Sequence, residues 1–141
     1  MRNALWVLTA AALIGATGCH SLNTVQESDY QAMKASGVAV EEKSPGTAAA
    51  LGVLPGCGSF YTRQYGMGVV DLLLWPYSIL WDPIIAYNEA KMINYSVSRS
   101  HAKKLKSQQL ADLDRQLEEK QISQEEFVHQ RRSIETAMNF D

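Results

Sequence analysis

Between Ser44 and Thr62 the chain runs for 19 residues without a charge, yet it is built so that it cannot be one helix. Uncharged, apolar length of that order reads on its own as a membrane span. Pro45 and Pro55, with glycines at 46, 52, 56 and 58, divide it into short pieces, because proline removes a ladder donor and glycine favours turns. The pattern predicts a short helix over Thr47–Leu54, ended by Pro55-Gly56. A tight Gly56-Cys57-Gly58 turn then leads into Phe60 and Tyr61.

A second apolar stretch runs from Gly66 to Trp81, and its longest charge-free run, Leu72–Trp81, has 10 residues. As a helix that run reaches about 15 Å against a hydrocarbon core of about 30 Å. Asp71, Pro76, Asp82 and Pro83 weigh further against a simple span. Asp82-Pro83 reads as a helix start, with aspartate as N-cap and proline at N1. The helix it opens carries Ala86, Ala90, Ile93 and Val97 on one narrow face.

The motif Pro55-Gly56-x-Gly58-x-Phe60-Tyr61, followed by Gly66, Gly68 and Leu72-Leu73-Leu74, resembles the small two-transmembrane-helix domains. There a glycine-rich turn ending in Phe-Tyr joins two apolar helices. The proline-broken helices and the two aspartates depart from that pattern. The expectation is an apolar helical hairpin over residues 44–97 that either folds as a compact core or lies against a membrane surface.

The N-terminus reads as an address. Arg2 forms a short positive region, Ala4 to Ile14 is apolar apart from Thr9, and Gly15-Ala16-Thr17-Gly18 precede Cys19. The apolar run is the length of a secretory signal core and too short to span. The stretch resembles the bacterial lipoprotein signal, in which small residues stand directly before an invariant cysteine. The resemblance implies cleavage between Gly18 and Cys19, removal of residues 1–18, and a diacylglyceryl thioether and acylated amine (palmitate among the chains) on Cys19. An ordinary secretory signal is the competing reading. Two or more acyl chains anchor stably, since each buried methylene is worth about 0.8 kcal/mol. The family's sorting rule retains aspartate-bearing chains at the inner membrane, so His20 implies the outer membrane, on its periplasmic face. Cys57 is then the one remaining thiol, expected to be buried among glycines rather than paired.

Residues 19–43 read as a lipidated tether, with a short helix over Ser28–Ala35 closed by Gly37. Residues 98–141 are a polar helical tail with eight basic and eight acidic side chains, a balance typical of solvated helices. Leu110, Leu113 and Leu117 form one apolar stripe, and Phe127, Ile134 and Met138 a second. Between them Ser123-Gln124-Glu125-Glu126 reads as a capping box, with Ile122 and Phe127 as its staple. The run from Leu110 to Glu135, with its Ile122-Ser123-Gln124-Glu125-Glu126-Phe127 turn, resembles the short C-terminal (SHOCT) domain. In place of that family's usual glycine stand Lys120-Gln121. The resemblance implies a role in association or assembly.

With 13 basic and 15 acidic residues, a net charge of −2 excludes a strongly basic nucleic-acid binder. At 46% hydrophobic and 20% charged, the chain is not wholly disordered. No catalytic, cofactor or metal constellation stands out. Gly56-x-Gly58 lacks the rest of a phosphate loop, Ser59 has no neighbouring histidine, and His20, His101 and His129 read as surface residues. Asp71 is the oddity, an acid inside Val-Val-Asp-Leu-Leu, expected to pair with Arg63 or to mark a polar seam in an assembly. Trp75, Tyr77, Trp81, Tyr87 and Tyr95 read equally as an interfacial belt or as core. The expected fold is mainly α: a glycine-rich apolar hairpin, a long helix and a C-terminal helix–turn–helix tail. The expected function is that of a non-enzymatic, lipid-anchored envelope protein acting in assembly. Its association face would be Leu110, Leu113, Leu117, Phe127, Ile134 and Met138, toward a protein partner or a second copy. The alternative is handling of a lipid or small apolar ligand by the aromatic hairpin.

Overall fold

The computed structural model describes residues 21–140 and, among them, is all helical. Helices α1 (Thr24–Ala35), α2 (Pro45–Leu51), α3 (Cys57–Tyr61) and α4 (Tyr65–Leu73) precede a 3-10 turn, η1 (Tyr77–Leu80). Helix α5 (Asp82–Glu118) and helix α6 (Gln124–Ala137) complete the chain. The signal segment, with Gly18 and Cys19, lies outside the described residues. Helix α5 is the spine: α1, α2, α3, η1 and α6 all pack against it. It is 37 residues long, about 55 Å at 1.5 Å per residue. After Pro83 the sequence holds no glycine or proline, so nothing local breaks the helix, and it runs straight through the expected 97/98 boundary.

The lead-in is more structured than a tether. Helix α1 begins at Thr24 rather than Ser28 because Asn23 and Gln26 form a reciprocal capping box, at 2.8 and 3.0 Å. Tyr30 and Met33 of α1 are buried with Val38, Tyr95 and Ala102, and Leu22, Leu105 and Phe140 pack around them. Helix α1 ends in a Schellman motif: Gly37 has φ +72°, its N–H donates to Lys34 O, and the Val38 N–H donates to Met33 O. The same device closes α3 with Arg63 (φ +68°) and α5 with Lys120 (φ +57°) in the left-handed position.

The buried face of α5 is small and polar rather than aliphatic. Ala86, Ala90, Asn94, Ser98 and Ala102 follow each other every four residues, all buried, while Ile93 and Val97 are half-buried. Asn94 and Ser98 bind the extended segment before α2. Asn94 Oδ1 accepts the N–H groups of Glu42 (2.9 Å) and Lys43 (2.8 Å), and its Nδ2 donates to Lys43 O (2.6 Å). Ser98 Oγ accepts from Val40 N–H at 2.9 Å. The backbone donors of a strandless segment are thereby satisfied by side chains of the spine.

Helix α2 starts at Pro45, two residues before the expected Thr47, because Ser44 caps it and proline fits the first turn. It stops at Leu51, where Gly52 lies against the start of α5: a Cβ there would stand 2.5 Å from Pro83 Cα. The expected Gly-Cys-Gly turn is instead the first turn of α3, with Gly56 in the left-handed region (φ +72°) just before it. Cys57 is a free, half-buried thiol. At the other end, Ser123 Oγ accepts the Glu126 N–H at 3.2 Å, so α6 begins where the sequence places it. The return half of that box is absent: Glu126 Oε1 accepts from Gln130 Nε2 instead.

Candidate functional site: a buried acid pair under an exposed apolar tip

Helices α3 and α4, η1 and the first turns of α5 form the tip of the spine, and here the usual order of burial is reversed. Ser59, Asp71 and Asp82 are 0% exposed, and Thr62 and Ser78 nearly so. The large apolar side chains of the same elements face outward: Leu73 is 77% exposed, Leu80 73%, Tyr77 68% and Trp75 58%. The glycines make the polar centre reachable. A Cβ on Gly58 would stand 2.8 Å from Ala86 Cβ, and one on Gly68 2.8 Å from the Phe60 ring, so α3 approaches both α5 and α4 closely.

Ser59 is the hub. Its Oγ lies 3.0 Å from Asp71 Oδ2 and 2.8 Å from Asp82 Oδ1. Trp81 Nε1 donates to Asp71 Oδ1 at 2.8 Å. A serine hydroxyl has one proton to give, so only one of its two short contacts can be a donation. Asp71 is supplied by the indole on its other oxygen, whereas Asp82 Oδ2 is buried without a partner. The arrangement is satisfied when Asp82 is the acid, its O–H donating to Ser59, and Ser59 donating to Asp71. Burial pushes the Asp82 carboxyl above the ordinary aspartate range and the nearby Asp71 adds to the rise, against the opposing Ser59 hydrogen bond. Chemically the site sets one hydroxyl between two enclosed carboxyls, with Asp82 biased toward its protonated form.

Two expectations are corrected here. Asp71 does not pair with Arg63; Arg63 reaches Glu42 at 2.6 Å instead, because the left-handed turn after α3 swings it to the other side. Asp82 does open α5 with Pro83 behind it, but it does not cap the helix: no side-chain cap bond is made, and its carboxyl turns to Ser59. Of the turn motif, Gly56 and Gly58 are buried, Pro55 and Tyr61 half-buried and Phe60 exposed. Tyr61 Oη accepts the N–H of the helix-capping Ser44 at 3.2 Å. Of the aromatic group, Tyr95 is core, Trp81 half-buried, and Trp75, Tyr77 and Tyr87 exposed.

The association residues lie on the seam between the end of α5 and α6. Leu113 is buried, while Leu110, Leu117, Ile122, Phe127, Ile134 and Met138 are half-buried. His101 and His129 are on the surface, as expected. Among the described residues, no three His, Cys, Asp or Glu side chains gather to hold a metal ion. A groove elsewhere, between α1 and α5, is lined by Gln26, Met92, Tyr95, Ser96, Arg99, Ser100 and Lys103. No helix among the described residues is long and apolar enough to cross a membrane.

The fold defines a class, an all-α protein built on one long helix with a polar-centred tip at one end and a helical hairpin at the other. Compared with protein-family models, curated proteins and solved structures, the chain matches none.

Proposed function

We propose that this chain is a lipid-anchored cell-envelope protein, held through acyl chains on Cys19 at the periplasmic face of the outer membrane. There it acts without catalysis as a structural or assembly component, through the hairpin of α5 and α6. The observation that carries the reading is the state of the hairpin seam. Six large apolar side chains along it remain half-open, with only Leu113 buried. A protein partner or a second copy laid along the open edge would complete the burial. Handling of a lipid by the aromatic tip is the second reading, and the exposed Trp75 and Tyr77 are what favour it.

The test uses the full chain in membranes. Cys19→Ala abolishes incorporation of a palmitate analogue and leaves precursor uncleaved. Ile134→Asp with Met138→Asp, both at half-open positions, dissolves crosslinked assemblies while labelling at Cys19 persists. Unchanged crosslinks in that variant remove the hairpin from the assembly, and equal labelling of Cys19→Ala removes the anchor. A monomer that co-purifies with stoichiometric lipid moves the conclusion to the second reading.

A further inference from the structure

We infer that the tip seats in the surface of a lipid bilayer, with the exposed side chains of α4, η1 and the first turn of α5 immersed below the headgroups. The starting point is the reversed burial. Water-soluble domains place acids outside and leucines inside; here Asp71 and Asp82 are fully buried while Leu73, Leu80, Tyr77 and Ile84 are 65% or more exposed. Contiguous apolar surface of this kind marks an interaction site. Satisfying polar groups internally while apolar ones face out is the arrangement that hydrocarbon demands.

Charge narrows the occupant. From Gln64 to Asn88 the only charged residues are Asp71 and Asp82, and both are enclosed. Arg63, just before this stretch, is ion-paired with Glu42 at 2.6 Å, and from α4 to the first turn of α5 the exposed large side chains are leucines, isoleucines, Val69, tyrosines and Trp75, none of them charged. Amphipathic aromatics next to aliphatic side chains suit the boundary between headgroups and acyl chains. No helix among the described residues is long and apolar enough to cross, so the fit is to one leaflet, as for helices that lie in the interface.

The chain before the described residues supplies the proximity, and for that alone the inference rests on the lipid anchor proposed above. Glu27, in the first turn of α1, is paired with Lys91 of α5 at 2.7 Å. Lys91 stands about 13 Å along the axis from Asp82. The residues between Cys19 and the cap Asn23 extend up to about 14 Å. Acyl chains on Cys19 and the tip can thus enter the same leaflet.

Trp75 provides the readout. The full chain carrying Trp6→Phe, so that Trp75 and Trp81 alone emit whether or not residues 1–18 have been removed, is reconstituted in phosphatidylethanolamine–phosphatidylglycerol vesicles containing brominated phosphatidylcholine. Emission should be strongly quenched by the brominated acyl chains and protected from aqueous iodide. Leu73→Gln with Leu80→Gln, at exposed positions the fold does not use, should lower the bromine quenching several-fold and restore iodide access, while Cys19 keeps its label. Iodide access in the parent chain without bromine quenching overturns the inference. So does protection without bromine quenching when Leu80→Cys crosslinks to a second copy, since the face then joins two chains. Loss of the Cys19 label with bromine quenching intact refutes the anchor and leaves the tip in the bilayer.

Discussion

Removing the Ser59 hydroxyl tests whether one proton is shared across the acid pair. In Ser59→Ala, Asp71 Oδ2 and Asp82 Oδ1 lose the group that stands 3.0 and 2.8 Å from them, and two enclosed acids face each other. Hydrogen bonds to charged groups are worth about 1.5–3 kcal/mol, and a buried polar group left without its partner costs about 1–3 kcal/mol more. For a chain of this size that is a fall in Tm of about 10–20 °C. Asp82→Asn is the counter-experiment. An amide at 82 can donate to Ser59 as the acid does, carries no charge to desolvate, and should be neutral or stabilising at pH 7.

The pH dependence gives the sharper contrast. The folded Asp82 carboxyl is raised, whereas the unfolded one titrates near about 3.9. Between those values the folded chain holds the extra proton, so this group's stabilisation is full in acid and is lost as pH rises to the folded value. Glu27 has the opposite sign: its hydrogen bond with the Lys91 ammonium holds its carboxyl below the ordinary range. That contribution is present at neutral pH and lost in acid. Denaturant titrations in detergent, compared between Asp82→Asn and the parent at each pH, cancel Glu27 and isolate Asp82. The variant should gain on the parent as pH rises above 4, by up to about 1.4 kcal/mol per pH unit inside the window. Parallel stability curves at every pH would refute the shared proton, as would an Asp82→Asn variant as damaged as Ser59→Ala.

Two further substitutions probe the backbone contacts. Gly52→Ala places a Cβ 2.5 Å from Pro83 Cα and should destabilise by about 1–3 kcal/mol, whereas Gly46→Ala, with open space around it, should be stabilising by about 0.4–1 kcal/mol; thermal melts of the pair read the difference directly. Lys120→Gly relieves a lysine held at φ +57° in the Schellman turn after α5 and should raise stability by about 1 kcal/mol, seen as a higher denaturant midpoint with unchanged slope.

Local chemistry made the helical class, the start of α6 at Ser123 and the start of α5 at Asp82-Pro83 legible in the sequence. Each rests on residues within one turn of the feature they set. Lys120 shows the same in reverse: a left-handed position that usually takes glycine holds a lysine here, so nothing local announces the turn. The acid pair was not legible, because Ser59 is 12 residues from Asp71 and 23 from Asp82, and no periodicity links them. Pairing Asp71 with Arg63 followed from charge alone and overlooked a hydroxyl and an indole as partners. For the tip the sequence left a compact core and a face laid against a membrane both open, because apolar residues are usually inside and no local signal says which of them turn outward. Along α5 the informative repeat was the small and polar one, Ala86, Ala90, Asn94, Ser98 and Ala102, masked by the more conspicuous Ile93 and Val97.

The reversed burial and the retained proton explain each other. A tip that turns its leucines outward has little apolar surface left to hold α3, α4 and α5 together, so cohesion falls to close backbone approach and hydrogen bonds. Gly52 against Pro83 and Gly58 against Ala86 supply the first; Ser59, Trp81, Asp71 and Asp82 supply the second. Hydrogen bonds are stronger where the dielectric is low, but an unpaired charge there is correspondingly costly. Two ionised acids around one hydroxyl would leave such a charge on Asp82, whose Oδ2 has no donor. Holding that residue as the acid frees the Ser59 proton for Asp71, whose other oxygen accepts from the indole. A bilayer over the tip would lower the surrounding dielectric further and favour the same protonated form, so the cluster that holds the tip together is also the one that tolerates hydrocarbon above it.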